Sequence, residues 1–202
     1  VELMPEIVPE KFGSWEPLKN EFVVEKISEI VAECWAHEGF LWSRKKPFAV
    51  GSIQFQVGKA CVHSGVKVDC ALGAVPQCNL IEFLQKSSEY LNADLSILHL
   101  LNPVDMERGA KTRTVVPAAN GECYFGITTH DLNKYIPDVY WAMIFGPAYV
   151  RFFGLEKLLS APFYLVKQIG PEMVYMQLSK NIEDMRTNFI AVDKVRAKVK
   201  KH

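Results

Sequence analysis

Residues 79–101 read NLIEFLQKSSEYLNADLSILHLL and join a helical pattern to a strand-like run. Asn79 is a favourable helix N-cap, and apolar residues recur at helical spacing over 80–91. The turn at 92–94 leads into an apolar run that ends at Leu101, which is typical of a buried strand. A helix followed directly by such a strand predicts an α+β fold. We expect a two-layer sandwich, in which helices pack on one face of a mainly antiparallel sheet.

The segments on either side predict further helices and strands. Upstream, Pro17 precedes a segment in which apolar residues recur at three- and four-residue spacing, which predicts a helix over 18–37. Downstream, Gly170-Pro171 separates two alternating segments, which predicts an antiparallel hairpin. Strands are expected at 48–57, 66–75, 123–127, 163–169 and 173–178, and helices at 137–145, 148–153 and 155–159.

Length and patterning predict one domain that spans residues 1–202. Residues 1–16 contain two prolines and Trp15, so we expect an extended arm that is packed by this aromatic side chain. Residues 188–202 are rich in lysine and carry valines at helical spacing, which predicts a basic amphipathic helix. The valines of this stripe are Val192, Val195 and Val199.

The composition is that of an ordinary folded protein. Of the 202 residues, 49% are hydrophobic and 23% are charged, which argues against a disordered or coiled-coil chain. The 23 basic residues balance the 23 acidic ones, so no overall field would attract nucleic acid or an anionic membrane. No apolar run is long enough to cross a bilayer. We therefore expect neither nucleic acid nor a membrane as partner.

The start of the chain and its cysteines bear on the compartment. The first residues are acidic and lack the basic and apolar regions of a secretory signal. The five cysteines are an odd number without regular spacing, which favours reduced thiols over a disulfide framework. Both observations predict a cytoplasmic protein.

Cysteine and histidine spacing does not support a metal site. The nearest set is Cys61, His63, Cys70 and Cys78. Structural zinc sites usually pair their ligands about two to four residues apart, and the last two cysteines are farther apart than that. Glycine-rich phosphate-binding motifs are also missing from the sequence. The sequence therefore predicts neither a metal nor a cofactor.

A catalytic function would depend on one Cys–His pair. His99 lies inside an apolar run, which favours a hydrogen-bonded core histidine over a catalytic one. Cys123 lies a few residues before His130, although neither belongs to a local catalytic signature. A small cytosolic hydrolase or transferase that uses this pair is the alternative function.

A surface for binding another protein is expected in two places, near residue 42 and in the loop 102–121. Ordered domains rarely keep so long a loop without a use, and interface anchors are typically aromatic or arginine side chains. The candidate partner-binding residues are Trp42, Arg44, Lys45, Met106, Glu107, Arg108 and Arg113. The aromatic-rich segment 127–162 either packs into the core or lines a ligand pocket, and the sequence leaves both open.

Residues 127–178 resemble a known group of proteins in the order of their proline, glycine and aromatic residues. The similar segments include Ile127-Thr128-Thr129-His130-Asp131-Leu132, Phe145-Gly146-Pro147-Ala148-Tyr149-Val150 and Val174-Tyr175-Met176-Gln177-Leu178. They are similar to small bacterial immunity-type proteins that are encoded near polymorphic toxins.

This resemblance implies a non-enzymatic protein-binding module. An immunity or antitoxin protein of this type would occlude a cognate bacterial toxin, and the resemblance carries over no catalytic residue. The expected partner is therefore another protein, and a homo-oligomer is a further expectation.

Overall fold

The contacts within the chain divide it into two compact units. A computed structural model describes residues 2–37, 39–55, 63–102, 104–107, 115–117, 123–125, 132 and 136–202, with the backbone alone for 115–117 and 123–125. The first unit comprises Val1–Val75 and Gly126–Tyr135, and the second comprises Pro76–Phe125 and Ile136–His202. The single domain expected over 1–202 stays a prediction.

The first unit is built on a five-stranded antiparallel sheet with the strand order β2-β1-β3-β4-β5. Its strands are β1 (Lys11–Gly13), β2 (Asn20–Glu21), β3 (Gly39–Arg44), β4 (Ala49–Gln54) and β5 (Gly65–Cys70). Short 3₁₀ turns lie at Pro5–Ile7 and Val24–Lys26, and helix α1 spans Ile27–Ala36. The arm predicted over 1–16 thus contributes a strand to the inside of the sheet.

The register of this sheet separates an apolar face from a polar one. Phe12 lies directly opposite Trp42, and Phe40 lies on the same face two residues along β3. All three side chains are buried. The alternate residues of the strands point to the other face, where Lys67 Nζ lies 2.8 Å from Asp69 Oδ2. Hydrophobic burial therefore stabilises one face of the sheet, and the other stays half-exposed.

Helix α1 is shorter and less buried than predicted. Residues 20–21 pair in β2, and helical geometry begins only at the turn Val24–Lys26. Within α1 the buried residues are Ile30 and Cys34, which are four apart and so share one narrow side. The helix predicted over 18–37 is therefore confirmed only for Ile27–Ala36, and Val31 and Trp35 within it are exposed. Trp15 is also exposed rather than packed.

The second unit contains a four-stranded antiparallel sheet, with the order β10-β11-β9-β6, and a separate strand pair, β7–β8. The strands are β6 (Leu95–Leu98), β7 (Val115–Pro117), β8 (Cys123–Phe125), β9 (Ala142–Phe145), β10 (Leu165–Gly170) and β11 (Met173–Gln177). The helices are α2 (Gln77–Leu91), α3 (Pro147–Phe153), α4 (Leu155–Leu159), α5 (Asp184–Thr187) and α6 (Phe189–Val199). A single helical turn lies at 104–107. The predicted hairpin and C-terminal helix are confirmed.

Helices cover both faces of the four-stranded sheet. On one face, Ile144 and Tyr175 pack in a cluster with Leu84 of α2 and Val192 of α6. On the other face, the alternate residues of β9 and β11 pack with α3 and with Leu158 of α4. The predicted α+β class with antiparallel strands is confirmed. The described residues form two larger sheets and a separate strand pair, however, and helices lie on both faces of the four-stranded sheet rather than on one.

The helix predicted over 137–145 is wrong, because Ala142–Phe145 form the strand β9 in the middle of the sheet. Every residue of β9 and β11 is buried, so these strands need no polar alternation. A short apolar run of this kind has the same sequence signature as a buried helix. The half-exposed face predicted for 173–178 is wrong for the same reason. The run that ends at Leu101 forms only the short edge strand β6.

Candidate functional site

Two of the predicted partner-binding residues hold the first unit together. Trp42 is buried, and its indole lies so close over Gly51 that a Cβ at this glycine would overlap the ring. Arg44 Nη1 donates a hydrogen bond to the Val8 carbonyl oxygen at 3.0 Å and lies 3.7 Å from Glu10 Oε1. Trp42 is therefore a core residue rather than an exposed anchor, because partner contact would require its indole to leave the sheet.

The other predicted residues are more accessible or lie outside the described residues. Lys45 is exposed, and its backbone N–H donates to Glu10 Oε2 at 3.1 Å. Met106 is half-buried and Glu107 is exposed in the helical turn at 104–107. Arg108 and Arg113 lie outside the described residues. The partner-binding role of these five residues stays a prediction.

The Cys–His pair of the alternative enzyme hypothesis also falls outside what the structure describes. Cys123 lies on β8, where the backbone alone is described, and His130 is not among the described residues. Burial raises the pKa of the Cys34 thiol and that of the Cys70 thiol, and acidic neighbours add to both shifts. A raised pKa lowers the thiolate fraction, so neither thiol is an activated nucleophile.

A buried cluster in the second unit combines a histidine, a carboxylate and an arginine. His99 Nε2 lies 3.0 Å from Asp105 Oδ2, and Arg196 Nη1 donates to Asp105 Oδ1 at 2.8 Å. Asn102 Nδ2 donates to Asp105 Oδ2 at 2.6 Å and to the Met185 carbonyl oxygen at 2.9 Å. Arg196 is 2% exposed. The hydrogen-bonded core histidine predicted at His99 is confirmed, whereas its neighbours Asp105 and Arg196 were not predicted.

The hydrogen bonds of His99 fix its proton. The Trp141 backbone N–H donates to His99 Nδ1 at 3.1 Å, so Nδ1 is an acceptor and the ring proton sits on Nε2, which donates to Asp105. Burial lowers the pKa of His99, although Asp105 acts in the opposite direction. The ring is therefore neutral with both nitrogens in use, and it offers no free base to a substrate.

The cluster positions three elements of the second unit. The Asn102 side-chain oxygen accepts hydrogen bonds from the backbone N–H groups of Val104 and Asp105, each at 2.9 Å. These bonds cap the helical turn at 104–107. Through Arg196 and the Met185 carbonyl, the same cluster ties this turn to α6 and α5. This arrangement is structural rather than catalytic.

One sequence signal could have revealed the inward orientation of Arg196. It lies four residues after Val192 and three before Val199, so a helix places all three on one stripe. The burial of Val192 and Arg196 together agrees with this spacing. A basic residue on an apolar stripe predicts a buried acidic partner, although the sequence alone does not say which one.

Most aromatic side chains of residues 136–162 pack within the core, and Phe152, which is 69% exposed, is the exception. The rings of Phe145, Tyr149 and Phe153 are stacked, with centroids 5.4 to 6.2 Å apart. Phe145 and Tyr149 are buried, and Trp141 is fully buried. For this part of the segment 127–162, the structure decides in favour of a core.

An exposed apolar surface of the first unit lies on α1. Ile27, Val31 and Trp35 are four residues apart and form what we call the apolar row. Val31 is 57% exposed and Trp35 is 62% exposed. The Trp35 ring contacts Phe55, with centroids 4.9 Å apart. Folded proteins rarely leave such a row open unless something binds there.

A second exposed tryptophan lies at the end of the same helix. Trp15 is 68% exposed, and its ring meets His37, the residue after α1, with centroids 5.3 Å apart. Tryptophan is the residue most enriched among interface anchors, together with tyrosine and arginine. The apolar row and Trp15 therefore form the candidate binding surface.

Comparison with known proteins adds no assignment. No family model, curated protein or solved structure matches the chain. Among the described residues, no three histidine, cysteine or acidic side chains are grouped so that they could hold a metal ion. No helix in the described part of the chain is long and apolar enough to cross a bilayer.

Proposed function

We propose that this chain is a non-enzymatic protein-binding module that contacts its partner through the outward side of α1. The observation that carries the proposal is the exposure of Val31 and Trp35, which lie on α1 beside the side that Ile30 and Cys34 pack inward. Burying two such side chains in a complex would stabilise it by about 2 kcal/mol or more per anchor. The neutral, fully bonded state of His99 supports a binding role over a catalytic one.

We further propose that the partner is a bacterial toxin and that the chain is its immunity protein. This part rests on the resemblance of residues 127–178 to immunity-type proteins. The mechanism is steric: the bound chain covers the part of the toxin that its target must reach. A cytoplasmic location follows from this role, because the protected target lies in the cell that makes the chain.

The test pairs the full chain with the products of the genes that flank its own. Each product is expressed alone and together with the chain, and growth and complex formation are measured. One product is expected to arrest growth, and the wild-type chain is expected to restore it. The variant Val31→Asp/Trp35→Asp should fold normally but bind at least about 30-fold more weakly and fail to protect.

The matched control is Tyr90→Asp/Ile190→Asp, which places the same two charges at residues of α2 and α6 that are 90% and 74% exposed. This variant should bind and protect like the wild type. If no flanking product arrests growth, the immunity role is wrong. If Val31→Asp/Trp35→Asp binds every partner as tightly as the wild type does, the binding surface on α1 is wrong.

A further inference from the structure

We propose that the element that docks on α1 is an amphipathic helix of the partner with lysine or arginine along one flank. The inference rests on the proposed function and adds the chemistry of the bound segment. It follows from three rows of residues that run along the exposed side of α1 and its preceding turn.

The rows repeat every four residues. The apolar row is Ile27, Val31 and Trp35, the small row is Ser28, Ala32 and Ala36, and the acidic row is Glu25, Glu29 and Glu33. All nine residues are exposed. Residues three apart are neighbours on a helix, so the small row lies between the other two: Ala32 precedes Trp35 by three residues and follows Glu29 by three.

The small row is where a partner backbone can approach most closely. Serine and alanine side chains leave a shallow channel along the helix, as small residues do at closely packed helix crossings. A helix seated on Ala32 and Ala36 would meet the apolar row on one side. On its other side it would meet the acidic row. Glu29 and Glu33 of this row lie on α1 about 6 Å apart along the helix axis, at 1.5 Å per residue, and Glu25 lies in the turn before it.

The negative charge of the acidic row determines which side chains the partner helix would carry on the flank that faces this row. Among the residues that the structure describes, Glu25, Glu29 and Glu33 form no ion pair. Like charges four residues apart on a helix repel each other. A partner flank with lysine or arginine at the same spacing removes this repulsion and adds ion pairs at the rim of the interface. An acidic or wholly apolar partner does neither.

The same rows disfavour two other occupants. A second copy that docks antiparallel through this face would place its glutamates against those of the first copy. A parallel copy would place glutamates against the apolar row, where the carboxylates lose hydration. An anionic membrane would be repelled by the acidic row.

The test uses two designed helical peptides that share a leucine face. One carries lysines along one flank, and the other carries glutamates at the same positions. Binding to the full chain is measured by calorimetry and by the change in tryptophan fluorescence. The lysine peptide should bind about tenfold more tightly than the glutamate peptide at 0.1 M salt. This preference should disappear at 1 M salt, where the screening length falls to about 3 Å.

Charge reversal provides the second arm. Glu25→Lys/Glu29→Lys/Glu33→Lys should reverse the preference between the two peptides. The matched control, Glu89→Lys/Glu156→Lys/Glu183→Lys, changes the net charge equally at exposed glutamates of the second unit and should keep the wild-type preference. Circular dichroism confirms that both variants are folded.

Three outcomes would overturn the inference: equal affinity for the two peptides, no binding of either, or a preference that the α1 reversal leaves unchanged. Stronger binding to phosphatidylglycerol vesicles than to the lysine peptide would also overturn it, in favour of a membrane. Any of these results leaves the proposed function in place if Val31→Asp/Trp35→Asp still abolishes binding of the native partner. Failure of that variant to affect the partner would instead count against the proposed function itself.

Discussion

His99 accepts a hydrogen bond at Nδ1 from the Trp141 backbone and donates one from Nε2 to Asp105. A second ring proton would sit on Nδ1 and would point at the Trp141 backbone N–H group, which now donates to this nitrogen. Burial acts in the same direction and lowers the pKa of His99. At the residue scale, local hydrogen bonding therefore decides that this side chain is a neutral structural element.

This geometry predicts how stability depends on pH. The unfolded chain takes up a proton at His99 as the pH falls through about 6.5, whereas the folded chain does not until its lower pKa is reached. The contribution of His99 to the free energy of unfolding is therefore full above pH 6.5 and falls below it, by at most about 1.4 kcal/mol per pH unit. Asp105 stays charged in this window, because His99 and Arg196 hold its pKa below the usual value.

The measurement is urea unfolding at pH 7.5 and 5.5. His99→Gln should lose stability at both pH values but show a smaller decrease between them than the wild type. His37→Gln, at an exposed position, should keep the wild-type decrease. An equal pH dependence in the wild type and His99→Gln would contradict the assignment.

At the scale of elements, the sequence predicted the hairpin but not the central strand β9. The hairpin β10–β11 was predictable because Gly170-Pro171 interrupts two strand-like runs. Strand β9 was not, because a segment that is buried on both faces carries no period in its sequence. In helix α1 the periodic signal is present in the sequence, but it does not report burial. Apolar residues recur at helical spacing along α1, although Ile30 and Cys34 are its buried residues.

The junction between β9 and α3 makes a second prediction. Gly146 donates its N–H to the Asp94 carbonyl oxygen at 2.8 Å, and a Cβ here would overlap the Ala93 carbonyl oxygen. Gly146→Ala should therefore push two backbone segments apart and lower the free energy of unfolding by about 2–3 kcal/mol.

Gly170→Ala is the matched control in the same sheet. Its added Cβ would lie 3.7 Å from the Met173 Cβ, an ordinary contact distance. Chemical denaturation should show a change within about 0.5 kcal/mol for this variant. Equal losses for the two glycine variants would mean that the close approach at Gly146 is not what requires glycine.

At the scale of the whole molecule, the C-terminal helix belongs to the core of the second unit. Val192 packs with residues of α2, β9 and β11, and Arg196 pairs with a carboxylate 91 residues away in the sequence. The basic side chains at the end of the chain are therefore not all exposed to solvent. One of its positive charges is buried and neutralised.

The pair of Arg196 and Asp105 makes a prediction at this scale. Arg196→Met keeps the apolar stem but leaves a largely buried carboxylate without its cation, so stability should fall by about 3 kcal/mol or more. Arg151→Met removes an exposed pair of 3.5 Å with Glu172 and should change stability by less than about 0.5 kcal/mol. Thermal and urea unfolding would measure both, and similar losses would show that burial of the pair does not matter.

By itself, the sequence determined the fold class, the helix and strand of residues 79–101, the hairpin and the amphipathic C-terminal helix. Each of these leaves a local signal, because turn residues and one-sided apolar spacing act over a few residues. The predicted cap is wrong, because α2 begins at Gln77 with Pro76 and not Asn79 at its N-cap. The three rows of α1 are equally present in the sequence. Only the tertiary structure decided that the apolar row faces outward, that β9 is a central strand, and that His99, Asp105 and Arg196 meet. Those outcomes depend on which surfaces cover one another, and contacts between distant parts of a chain leave no periodic pattern in it.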